Sequence, residues 1–111
     1  MSSQRLFLER ELERTRRTLR EYRDIRDRIQ DSIHYQLRRN FDLEAEIQRL
    51  EARLAEEVPV FRSNRDERKY QQEQHRLSAQ LHAARMELGQ VQNVEIPRTV
   101  IARDHMEENI R

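Results

Sequence analysis

Apolar residues return at alternating steps of four and three from Leu8 to Leu54. One series reads Leu12, Leu19, Arg26, Ile33, Asn40, Ile47 and Leu54; the other reads Leu8, Thr15, Tyr22, Ile29, Gln36, Leu43 and Leu50. Ten of these fourteen positions are apolar, and neither glycine nor proline interrupts them. The spacing predicts one long α-helix carrying a coiled-coil seam. A seven-residue repeat drifts around a helix of about 3.6 residues per turn unless helices wind left-handedly about each other, so the stripe calls for a partner helix.

Pro59 ends the first pattern, because it has no amide hydrogen and drives Val58 out of the helical region. This predicts a first helix over 1–58 and a turn at 59–63. Ser63 or Asn64 can then cap a second helix over 64–92, with Asp66 and Glu67 three residues on to complete a capping box. That helix repeats the seam as Tyr70, Gln74, Leu77, Leu81, Ala84, Leu88 and Val91. Its end is expected between Gly89 and Asn93, two residue types that tolerate a left-handed cap.

A short connection favours an antiparallel hairpin, in which facing residues have numbers totalling about 121. That register sets Leu77 near Leu43, Leu81 near Asn40, Ala84 near Leu37, Leu88 near Ile33 and Val91 near Ile29. Leu8, Leu12, Leu19, Tyr22 and Ile25 are then left uncovered. Residues 93–111 lose the heptad, with Pro97 in their midst, and read as an extended arm that can end in a short helix. Val94, Ile96, Val100 and Ile101 would latch that arm onto a neighbour. The expected class is therefore all-α: an elongated coiled-coil helical hairpin, made of a long helix and a shorter antiparallel one, with an extended C-terminal arm.

Composition narrows the function. Of 111 residues, 39% are charged and 35% hydrophobic, too little apolar material for a thick globular core. The 22 basic and 21 acidic side chains nearly cancel, so the whole chain exerts no strong pull on polyanions. There is no cysteine, and a charge-rich run begins within eight residues of the start. These features set the expectation of an intracellular, cytoplasmic chain with no signal peptide and no membrane insertion.

Catalysis needs a concave, water-poor pocket that moves pKa values, and a pair of helices offers convex sides, so no enzymatic activity is expected. His34, His75, His82 and His105 contain no i,i+3 or i,i+4 pair, which argues against a metal site. No cofactor motif is present, and none is expected to bind.

Residues 5–28 hold nine arginines and six carboxylates. A basic helix feeding a heptad is the layout of a basic-region leucine zipper, but the carboxylates interrupt it and no asparagine is placed to read a base. Pairs such as Glu13–Arg17 and Asp24–Arg28 have the order that favours local salt bridges. A nucleic-acid-associated regulator using this helix is thus the alternative, and a hairpin chaperone or adaptor a second one. Steep salt dependence would mark the nucleic-acid binder.

The remaining signal is protein association. Arg26 and Asn40 occupy seam positions where polar residues set register at the expense of stability. Between residues 25 and 41 the stripe widens through Ile25, Leu37 and Phe41, as a helix with more than one neighbour requires. The expected partner-binding residues are Leu8, Leu12, Leu19, Tyr22, Ile25, Ile29, Ile33, Leu37 and Phe41. Their partner would be a second copy or another coiled-coil protein in a larger assembly, with the chain serving as a scaffold or small structural subunit.

Overall fold

A computed structural model describes residues 2–110, with no side-chain account of Ser2. Helix α1 spans Ser2–Leu54 and α2 spans Asn64–Gln90; a π-helical turn, Val91–Glu95, leads directly into α3, Ile96–Ile110. The described residues contain no strand, and the all-α class holds. Two compact units are distinguished: one combines the residues up to Tyr35 with those from Pro97 onward, the other is Gln36–Ile96.

Helix α1 stops at Leu54, four residues before the expected boundary at 58. The loss follows from Pro59, whose missing amide would have closed the turn on Ala55. The chain leaves the helix through Ala55 N–H to Glu51 O at 3.0 Å and a tighter Glu56 N–H to Arg53 O at 3.4 Å. Ser63 caps α2 as expected: its backbone is extended, and its Oγ accepts the Asp66 amide at 3.2 Å. Just before it, Phe61 packs its ring on Tyr70 with centroids 5.2 Å apart.

The core of the Gln36–Ile96 unit consists of two clusters. Leu43, Ala84 and Val91 are buried together, with Ile47, Leu88 and Ile96 packed against them. Leu50, Leu77 and Leu81 form the second cluster, joined by Ile47 and Leu54. Partners along α2 fall in number as those along α1 rise. Leu77, expected beside Leu43, lies instead with Leu50, so the register is shifted by one heptad. The cause is the connection. Its extended stretch carries Phe61 onto Tyr70 in place of a seam residue of α1, and pairing of the helices begins one heptad later along α2.

The C-terminal segment corrects a second expectation. Residues 93–111 were expected to form an extended arm; the structure makes Ile96–Ile110 an α-helix. Gly89 lies inside α2, and no described residue, glycine included, has a positive φ, so no left-handed cap forms there. Instead the Val91 N–H reaches both Glu87 O and Leu88 O, and the Ile96 N–H reaches back to Val91 O. A proline ring inside an α-helix strikes the carbonyl four residues before it, here that of Asn93. The widened turn directly before Pro97 lets the helix continue, and Pro97 falls in the first turn of α3, where its missing amide costs little.

In the other unit, α3 accompanies the first part of α1. Arg103 donates to Gln30 Oε1 at 3.4 Å, and Ile33 is buried. Val100, Met106 and Ile110 are half-buried. The helical run therefore does not end near residue 92.

Candidate functional site

The seam residues of α1 divide by burial. Ile33 is buried, and Leu19, Tyr22 and Ile29 are half-buried. Leu8 and Leu12 are 65% and 52% exposed although both lie on the same stripe. Ile25 is marginally exposed, whereas Leu37 and Phe41 present half or more of their surface. Leu8, Leu12 and Ile25 are thus the exposed members of the predicted set in the unit that contains the first part of α1, and Leu37 and Phe41 are exposed in the Gln36–Ile96 unit.

Of the proposed latch residues, Ile96 packs into the Leu43 cluster, Val94 and Val100 are half-buried, and Ile101 is 68% exposed. Heptad reasoning missed Leu6 and Phe7, both more than half exposed and off the seam. The only available signal was that two apolar residues directly precede Leu8 without fitting its stripe.

Charges along the exposed part of the seam are largely balanced within the helix. Arg5 Nε pairs with Glu9 at 3.1 Å, Arg14 with Glu11 at 3.3 Å and Arg20 with Glu13 at 3.2 Å. Glu13 thus serves Arg20 in place of Arg17, and the Asp24–Arg28 pair does not form. Arg16 and Arg23 make no ion pair among the described residues. Their stems, with Arg20, surround Leu19 in a shallow depression. Arg26 pairs with its neighbour Asp27 at 3.2 Å and is held partly in from solvent.

Between α1 and α2 the ion pairs flank the core. Arg39 donates to Glu87 at 2.6 and 2.8 Å and Arg85 to Glu51 at 2.7 Å; Gln92, in the π-helical turn, adds a neutral hydrogen bond to Glu44 at 3.3 Å. Half-exposed pairs of this kind contribute roughly 0–1 kcal/mol each and select register more than they stabilise. The Arg76 guanidinium, hydrogen-bonded to Glu73, holds that carboxyl below the usual carboxylate range. Both groups are on the solvent side of α2, so the shift reports a local pair.

Asn40 places a polar group inside the seam. Its Oδ1 is buried and has no hydrogen-bond partner. An unsatisfied buried carbonyl costs about 1–3 kcal/mol. Asn40→Leu is therefore expected to raise the stability of the chain by about 1–2 kcal/mol in urea titration, while loosening the choice of register. A fall in stability would mean that the amide is satisfied in solution.

Among the described residues, no cluster of three or more His, Asp or Glu is placed to hold a metal ion, and no helix is long and apolar enough to cross a membrane. No family model, curated protein or solved structure matches the chain.

Proposed function

We propose that this chain is a helical assembly subunit whose work is to join protein helices along the seam of α1. The observation that carries the reading is the exposure of Leu8 and Leu12 at the start of a stripe that is buried further along. The same heptad that makes Ile33, Leu43 and Leu50 core residues continues unbroken to Leu8, so the pattern asks for burial where the chain supplies none. Association there removes apolar surface from water at roughly 25 cal/mol per Å². The flanking Arg and Glu residues then select the partner.

Laced intrahelical ion pairs support protein recognition over nucleic-acid binding, because four of the nine arginines in residues 5–28 are already occupied by carboxylates. The test is the mass of the purified chain by sedimentation or light scattering across a dilution from about 100 to 1 µM. A mass that falls with dilution toward that of one chain, and that hardly changes between 50 and 200 mM salt, is the expected result. A single-chain mass throughout, with no partner helix bound, would sink the proposal.

A further inference from the structure

We infer that the occupant of the exposed seam is a second copy of this chain, its residues 5–22 running antiparallel against residues 5–22 of the first. The inference rests on the reading of this seam as a protein-binding surface and commits it to one partner and one register.

Charge selects the direction. Arg5 and Arg26 belong to the same seam series as Leu12 and Leu19. A parallel, in-register pair would set each arginine against its own copy inside an apolar seam, and such like-charge juxtaposition is strongly disfavoured. Reversing one copy removes the conflict. In antiparallel coiled coils each position of one series faces a position of the other. Leu8 then meets the second copy's Leu19, Leu12 meets Thr15, and Arg5 meets Tyr22. Sliding the pair by a heptad in one direction sets Arg5 against Thr15, and in the other sets Arg26 against Leu8. The register with Arg5 on Thr15 also matches Leu8 with a leucine, Leu12, but it sets Glu9 beside its own copy, a like-charge contact. Only the central register combines a leucine at Leu8, a ring at both seam ends and no such repulsion.

The flanks agree. In this register Glu9 stands beside the second copy's Arg16, and by two-fold symmetry the pair occurs twice. Arg16 makes no ion pair among the described residues, so it is open to a new partner. Glu9 is held only by Arg5, at 3.1 Å and with both side chains mostly in solvent, an interaction readily exchanged. Once Glu9 moves to Arg16, the Arg5 guanidinium is free to lie over the Tyr22 ring of the other copy. The interface is self-complementary and closes at two chains. Every residue it uses lies in the unit that contains the residues up to Tyr35.

The absence of cysteine makes the test clean. Leu8→Cys and Leu19→Cys are made as separate proteins, each verified as helical by circular dichroism, then mixed and oxidised gently. The expected product is the mixed disulfide, at least tenfold over either same-variant disulfide. In parallel, Glu9→Arg weakens self-association about tenfold, and adding Arg16→Glu to the same chain restores it. A Leu8→Cys disulfide with itself would overturn the antiparallel register while leaving self-association intact. A dimeric mass with no cross-link in any mixture would place self-association elsewhere on the chain and overturn this interface. A single-chain mass for the unmodified protein, with no other helical protein bound at Leu8 and Leu12, would overturn both this inference and the reading on which it rests; a single-chain mass with a different helical protein captured there would overturn only the second copy.

Discussion

Replacing Leu43 by alanine is expected to destabilise the chain by about 3 kcal/mol, within the range of about 2–5 kcal/mol for buried leucines. Leu43 is the most deeply buried side chain, at 1% exposure, and it touches the cluster made by Ala84, Val91, Ile47, Leu88 and Ile96. Helices this thinly packed have no second layer to move into the void. Its neighbours are held by their own turns, so the site collapses poorly. The measurement is a urea titration followed by circular dichroism at fixed protein concentration, because any association makes stability depend on concentration. Leu37→Ala supplies the comparison: that leucine is half exposed, and its loss is expected to cost less than about 1 kcal/mol. Equal effects at the two positions would mean that the Leu43 cluster is not the core.

Leu12→Asp combined with Leu19→Asp is expected to weaken self-association at least a hundredfold, equivalent to about 2.7 kcal/mol, while leaving helicity nearly unchanged. The two leucines lie on the exposed or half-exposed part of the seam, so the fold loses little when they go. The new carboxylates fall four residues before Arg16 and Arg23, the order that supports a helix locally and offsets aspartate's lower helix propensity. In a pair of chains, however, four carboxylates would enter an apolar seam. Sedimentation of the variant at micromolar concentration reads the association, and the far-ultraviolet spectrum reads the fold. A dimeric mass that survives the double substitution would remove Leu12 and Leu19 from the interface.

The seam of α1 was legible because burial on one side of a helix has a period that sequence displays directly, and the residues it named, Ile33, Leu43 and Leu50, are buried. The cap at Ser63 was legible for a similar reason: a hydroxyl followed by acidic residues satisfies amides that no helix can satisfy for itself. Register was not. A seven-residue repeat matches itself equally well after a slip of seven, so the pattern alone cannot separate Leu77 on Leu43 from Leu77 on Leu50. The path of the connection, with Phe61 against Tyr70, decides it.

The C-terminal helix was hidden by a different ambiguity. Pro97 reads as a stop in the middle of a helix and as an ordinary residue in a first turn, and only the backbone before it distinguishes the two. Inward positions step by five from Val91 to Ile96 before the usual spacing resumes through Val100, Arg103, Met106 and Ile110. Counted in sevens, that step looks like loss of pattern. At the proposed surface, Leu8 and Leu12 stand exposed on the stripe that the sequence marked. Exposure of Leu37 and Phe41 away from the seam could be read only from the folded chain.

The π-helical turn at Val91–Glu95 bears on how this gene can change. The turn behaves as an α-helix that has absorbed one additional amino acid. Deleting a single codon there would turn the step of five between Val91 and Ile96 into an ordinary helical step of four, so the phase of the helix would be kept, but Pro97 would return to a clash with an upstream carbonyl. Loss of two codons would instead rotate the following side chains by about 100°. Shortening of this stretch by one residue should therefore be tolerated only together with replacement of the proline.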